Sequence, residues 1–173
     1  MVDKKKIVVY DRHNKKTEVP IMLTCGKYTY QLDNKNRLRL PSKVRDDYGD
    51  ELYLSIDMRG SLLVRSKESM EEIFRKLEQV SMSDWETQDA IMDFSSMTFS
   101  VKLDDQRRFM LPAELKNYAK IDKNIVVVGL PRGWSIWAEE SYENRNKPDE
   151  DFMDFEKRIA PLLKPYGCLL YTS

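Results

Sequence analysis

The chain has 173 residues, 41% hydrophobic and 34% charged, the composition of one or two small soluble domains with a heavily charged surface. Lys and Arg number 29 together and so do Asp and Glu, so net charge supplies no general attraction to nucleic acid and any such binding must come from local clusters. No apolar run approaches the roughly 18 residues of a membrane span, and Ile7–Val9, behind the charged start, is too short for a secretory signal.

Residues 1–21 are basic and polar, with one β-like run from Ile7 to Tyr10. They read as a flexible extension, or an overcalled start ahead of Met22; a basic DNA-contacting arm is the alternative. His13, the only histidine, reads as an exposed loop residue. From Tyr28 to Leu32 the chain alternates and is rich in β-formers. Asp33 to Asn36 is turn chemistry and Arg37 to Leu40 alternates again, together a β-hairpin signal. Asn34 and Asn36 suit the left-handed backbone of tight loops. Strand alternation puts Leu38 and Leu40 on one face and Arg37 and Arg39 on the other. Pro41 presets a helix start, followed by a short helix over 42–48, a strand over 52–56, the pair Arg59-Gly60 and a strand over 62–64. Met70, Ile73, Phe74, Leu77 and Val80 keep the spacing of one apolar stripe and predict a core-packing helix over 68–80. Residues 81–96 read as a loop and a short helix.

The motif then returns. Leu-Asp-x-x-x-Arg-apolar-x-Leu-Pro occurs at Leu32–Pro41 and again at Leu103–Pro112, with Asp33 and Asp104, Arg37 and Arg108, and Pro41 and Pro112 each 71 residues apart. Internal repetition at this fidelity marks two copies of one unit. The second copy continues with a helix over 113–119, a strand over 125–128, Arg132-Gly133 and a strand over 135–137, at an offset that has moved from 71 to 73. Each unit has only about 50 residues, near the limit at which a lone core offsets chain entropy, so the two should share a core as an intertwined pseudo-dimer. The organisation read from the chain is an extension (1–21), a first repeat with its helix (22–80), a linker (81–98), a second repeat (99–147) and a tail (148–167) with one amphipathic turn set stopped by Pro161. Residues 168–173 read like one translated frame of a transposon-end sequencing adaptor and are set aside from the fold reading, an expectation that would leave Cys25 as the one genuine cysteine.

Gly26-Lys27-Tyr28-Thr29-Tyr30, the Asp33, Lys35, Arg37, Pro41, Lys43 and Arg45 that follow, and the later Leu103-Asp104, Gln106, Arg108 and Leu111-Pro112 resemble the MraZ family of bacterial transcriptional regulators. Val127-Val128-Gly129 and Ile136-Trp137 look like the strand endings of its second repeat. The resemblance implies an α+β fold in which two tandem β-hairpin/helix repeats form an AbrB-type swapped-hairpin β-barrel with flanking helices, and chains that assemble into rings. It also implies repression of the division and cell-wall gene cluster through tandem G-rich promoter repeats, with Asp33, Arg37, Asp104 and Arg108 in the DNA-binding element. The chain departs from the family where glycine usually precedes the motif arginine. Asn36 and Arg107 stand there, and Arg107 tolerates positive φ poorly, so the second loop is expected to be reshaped. The arginines the family often carries before its second repeat are missing from residues 89–99, and the Asp104-Asp105 pair weakens the second motif as a phosphate contact.

Five cations between positions 35 and 45, with Arg107 and Arg108, are the candidate DNA contacts: Lys35, Arg37, Arg39, Lys43 and Arg45 in the first repeat. Such side chains neutralise phosphates and release counterions, and arginine can bond guanine bidentately in the major groove. Asp33 and Asp104, Pro41 and Pro112 are read as shaping the motif. Asp33 orients Arg37 or simply pairs with it to hold the loop. The expected partners are double-stranded DNA and further copies of the chain in a ring, which gains avidity on repeated sites; no membrane, small-molecule substrate, metal or cofactor is expected. Cysteine usage points to a reducing compartment, hence the cytoplasm, and the resemblance implies association with the nucleoid. An antitoxin-like AbrB relative and a purely oligomeric interaction module are the alternatives. An enzyme is the weakest reading, since no histidine, cysteine or glycine-loop constellation is present.

Overall fold

The computed structural model describes residues 6–10, 16–20, 24–131, 133–145, 159 and 161. The chain divides into two compact units, Met1–Glu139 and Glu140–Ser173. In chain order the first unit holds β1 (Lys6–Tyr10), β2 (Lys16–Pro20), β3 (Lys27–Gln31), β4 (Arg37–Arg39), α1 (Ser42–Tyr48), β5 (Glu51–Ile56), β6 (Leu62–Arg65), α2 (Lys67–Leu77) and α3 (Trp85–Ser96). It continues with β7 (Phe99–Lys102), β8 (Arg108–Met110), α4 (Ala113–Tyr118), β9 (Asn124–Leu130) and β10 (Gly133–Ala138), and α5 (Glu139–Arg145) follows. In the second unit the Arg145 guanidinium sits 4.4 Å from the centroid of the Tyr142 ring. The amphipathic turns expected over 148–167 lie outside the described residues apart from Ile159 and Pro161, as do His13 and residues 168–173.

β1 and β2 pair antiparallel from Lys6 opposite Pro20 to Tyr10 opposite Lys16, so the β-like run at Ile7 is half of a hairpin. The main sheet has six strands in the order β3-β9-β10-β6-β5-β7, and β4 and β8 form a separate two-stranded ribbon. Every pairing is antiparallel. β3 and β4, read locally as a hairpin, are not ladder partners. β3 pairs with β9 and β4 with β8, while β7 from the second repeat pairs with β5 from the first. The expected mixed α+β architecture of two interleaved repeats is what the chain adopts.

The register reveals an internal two-fold axis. Glu51 lies opposite Lys102 and Gln31 opposite Asn124, so β5 relates to β9 by 73 residues and β3 to β7 by 71. For β6 and β10 the expected offset of 73 is wrong by one. Leu54 faces Val64 as Val127 faces Ile136, so Leu62 corresponds to Trp134, Leu63 to Ser135 and Val64 to Ile136, an offset of 72. The cause is the turn. In the first repeat Asp57 and Ser61 close a loop of three residues, with Gly60 at φ 79°, whereas the second repeat joins Leu130 to Gly133 across two positions. Gly60 therefore lies in a turn, whereas Gly133 starts a strand. The axis runs between β6 and β10, where Leu63 faces Ser135, and between β4 and β8, where Leu38 faces Phe109.

The core obeys the same axis. Leu32 and Leu103, Leu38 and Phe109, Leu40 and Leu111, Val44 and Leu115, Leu52 and Ile125, Leu54 and Val127, Leu62 and Trp134, and Val64 and Ile136 are all buried in one cluster. Pro41 and Pro112 stand at the cap positions of α1 and α4 with φ near −54°, one residue before the first helical residue. The helices end in left-handed residues at equivalent places, Gly49 (φ 78°) and Lys120 (φ 52°). Gly129 is fixed by close approach, because a Cβ there would lie 2.5 Å from the Cys25 backbone nitrogen.

The two helices between the repeats differ from expectation. α2 starts at Lys67, capped by the Ser66 hydroxyl, and ends at Leu77, so Val80 lies beyond it and only Met70 of the apolar stripe is fully buried. The linker holds a twelve-residue helix, α3, whose first turn is capped by Asp84 accepting from the Thr87 backbone N–H at 2.7 Å and its hydroxyl at 2.8 Å. Phe74 and Phe94 pack the two helices together with ring centroids 6.2 Å apart. Among the described residues no helix is long and apolar enough to cross a membrane.

Because strands of both repeats interleave in one sheet, neither half has a sheet of its own. Leu38→Ala, at a fully buried position on the axis, is expected to cost about 2–5 kcal/mol and to leave a single unfolding transition in chemical denaturation. Two separated transitions would contradict the shared core.

Candidate nucleic-acid interface

The site is built from two copies of one loop. In the first, Asp33 accepts backbone N–H bonds at Oδ1 from Lys35 (2.8 Å) and Arg37 (2.9 Å), while its Oδ2 accepts from Arg37 Nε at 2.7 Å. The Asn36 N–H donates to the Asp33 carbonyl, and Asp33 N–H to the Arg37 carbonyl. In the second, Asp104 accepts from the Gln106 and Arg108 backbone N–H groups, both at 2.9 Å, and from Arg108 Nε at 2.9 Å. A short polar side chain followed by turn formers makes this geometry locally, with the aspartate serving as an internal cap.

The second loop is not reshaped. Arg107 adopts φ 60°, beside 55° for Asn36, and donates the same backbone bond to Asp104. What holds Arg107 in the left-handed region is a bond across the axis. Its carbonyl accepts from Leu40 N–H at 3.0 Å, and the Asn36 carbonyl accepts from Leu111 N–H at 3.1 Å. Each loop is thus tied to the strand leaving the other, and two tertiary hydrogen bonds offset the local preference against positive φ.

The ribbon between the loops presents one inward and one outward face. Leu38 and Phe109 point inward and are buried. Outward, Arg37 lies opposite Met110 and Arg39 opposite Arg108. Three arginines from two distant segments therefore share one small surface centred on the axis, with Lys35 exposed on the adjoining loop and Arg107 half-buried on the other. Burial raises the Tyr30 hydroxyl pKa, and Arg39 and then Arg107 lie close enough to offset part of that rise. The Arg108 guanidinium contacts Asp104 at 2.9 Å and reaches to 4.0 Å from Asp33, bridging the two repeats. The Arg39 side chain makes no hydrogen bond or ion pair among the described residues.

The remaining candidates are distributed differently. Arg45 is ion-paired with Asp50, and its pKa is raised first by that bond and further by Asp105 and Asp104. It thus belongs electrostatically to the second loop rather than extending the first patch. Lys43 is half-buried on α1. Lys116, not among the sequence candidates, donates to Asn36 Oδ1 at 2.8 Å and adds a cation beside the first loop. It is the counterpart of Arg45 at the 71-residue offset, which was the available signal.

The loop carboxylates are strong anions. Asp33 is held down to about 2, chiefly by the Arg37 backbone N–H and then by the Arg37 side chain, and Asp104 is lowered through the equivalent groups of Arg108. A folded-state pKa below the ordinary carboxylate range means a contribution to stability that is present at neutral pH and lost as pH falls through that range. Thermal midpoints are expected to drop from about pH 5 towards about pH 2, and to drop less in Asp33→Asn, which keeps an acceptor oxygen without the charge. Parallel curves for the two proteins would show that the carboxylate charge contributes nothing.

A family model described as "MraZ protein, putative antitoxin-like" matches residues 23–91 and again 94–160, once on each repeat. The Transcriptional regulator MraZ of Mycoplasmopsis pulmonis is 32% identical over 148 residues, spanning 84% of this chain and 98% of that protein. The protein of the same name from Mycoplasma mobile is 33% identical over 139 residues, 80% of this chain and 95% of its own, and that of Clostridium botulinum 31% over 127 residues, 73% and 89%. With a family match on each half of a two-fold core, and relatives aligned along nearly their whole length, the chain belongs to the MraZ family.

Proposed function

We propose that the chain is a DNA-binding transcription regulator that grips duplex DNA with the outer face of the β4/β8 ribbon. The observation that carries this reading is the convergence of an exposed Arg39 and the half-buried Arg37 and Arg108 on one outward face of a protein with zero formal net charge. A two-stranded ribbon fits the major groove, and arginine is the side chain best suited to guanine there. Lys35, Arg107, Lys43, Arg45 and Lys116 flank the ribbon as phosphate contacts. Asp33 and Asp104 do not touch DNA in this scheme; they fix the rotamers of Arg37 and Arg108, while Pro41 and Pro112 set the helices behind the ribbon.

The names of the relatives support regulation of transcription, and the resemblance supplies the target: tandem G-rich repeats ahead of the division and cell-wall gene cluster, occupied so as to repress it. Binding to repeats calls for several ribbons in one particle, a ring of identical chains on the nucleoid, with affinity raised by effective concentration. Val80, Met82, Trp85 and Met92 support such assembly. They are all exposed in the stretch from the end of α2 through α3, Trp85 at 71%, and large apolar side chains gathered there suit contact with another copy. Light scattering on the purified protein is expected to report an oligomer whose mass falls in Trp85→Ser; an unchanged mass would remove this surface from the assembly.

The DNA reading is tested best at Arg39, because Arg37 and Arg108 also hold their loops. Binding to promoter DNA measured across a salt series is expected to weaken by about tenfold or more in Arg39→Ala, with the thermal midpoint unchanged. Loss of a phosphate contact instead would flatten the log–log salt slope by about one. A folded, assembled protein with no salt-sensitive, sequence-selective binding would leave an oligomeric interaction module, in which the Asp–Arg pairs serve the loops alone.

A further inference from the structure

The outer face of the ribbon is chemically unequal on its two halves. The two-fold axis relates Arg37 to Arg108, and both are engaged by the loop aspartates. It also relates Arg39 to Met110, and these are the two members of the face left to meet a partner. Met110 is 66% exposed, and its neighbour directly across the ribbon is Arg37. Among the described residues the other exposed large apolar side chains lie elsewhere, at Met58 in the β5–β6 turn and between Val80 and Met92. Met110 is therefore a single thioether in a surface otherwise made of guanidinium groups, at the place where strict symmetry would put a fourth cation.

Resting on the DNA reading above, we infer that Met110 is a specificity-determining contact that packs against the C5-methyl group of a thymine and so gives the ribbon a direction on DNA. The major groove displays one methyl group, that of thymine, set among the hydrogen-bonding groups of the base edges. A methionine driven onto the groove floor between arginines gains by covering the methyl and loses by covering an unpaired polar edge. Arg39, diagonally across, has the opposite preference and selects guanine. Diagonal neighbours on a strand pair lie about 7–8 Å apart, so the guanine and the thymine should stand about two steps of roughly 3.4 Å apart along the duplex. The recognised unit is then asymmetric although the fold that reads it is two-fold, and the chain binds each unit in one orientation.

The test uses the full-length protein and the duplex it selects most strongly from a random-sequence pool. Each thymine in that duplex is replaced singly by deoxyuridine, which removes only the methyl group, and affinities are measured for the wild type, Met110→Ala and Met110→Leu. One replacement is expected to weaken the wild type and Met110→Leu about fourfold, the worth of one buried methyl, and to leave Met110→Ala unchanged. Selection repeated with Arg39→Ala should lose guanine preference while retaining that thymine. Replacements that affect the wild type and Met110→Ala equally would overturn the contact while leaving the DNA reading standing. A wild type that selects no sequence at all would overturn the DNA reading and the contact with it.

Discussion

The structure depends on backbone pairing between the repeats. A β-strand needs a ladder partner for its N–H and C=O groups, and the arms β3 and β4 do not satisfy one another. Each is completed only by the other half of the chain, β3 by β9 and β4 by β8, as β7 is by β5. Burial follows from the same exchange, because Leu38 and Phe109 meet on the axis and the paired core positions close around them. The proposed DNA-binding surface follows in turn. Arg37 and Arg108 are 71 residues apart in the chain and become neighbours only because β4 and β8 are zipped together.

The Asp-x-x-x-Arg loop does two jobs with one network. Its aspartate satisfies backbone N–H groups that a tight turn leaves open, and with its second oxygen it holds the arginine. An arginine held in this way has lost much of its rotamer freedom before it meets a ligand, which lowers the entropy cost of contact. The same economy makes the motif arginines poor probes, since replacing one disturbs loop and surface together. Arg39 and Met110, which have no such second duty, are where chemistry can vary at little cost to the fold.

Much of this was legible in the chain. The repeat, the alternation of Leu38 and Leu40 with Arg37 and Arg39, the prolines ahead of short helices and the shared core all follow from local pattern and size. The misreadings have physical reasons. The offset at β6 and β10 depended on a turn of three residues opposite one of two, and apolar strands such as 125–128 give no internal mark of register. Arg107 was expected to distort its loop because local preference is visible in sequence, whereas the bond from Leu40 across the axis is not. Lys116 went unseen because α4 reaches the first loop only in three dimensions. α3 is longer than its pattern suggests because its apolar residues are sparse and mostly exposed, so its length rests on the Asp84 cap and on packing against α2.

The exchanged strands carry a consequence for dilution. Two separate chains exchanging arms in this way would come apart at low concentration, since their folded state would be a bimolecular complex. Here the halves are joined through α2 and α3, and the second arm always finds the first at a local concentration set by that connection. A single molecule can therefore complete its own sheet and ribbon, however few copies a cell contains. Folding of the two halves is then independent of how many copies are present.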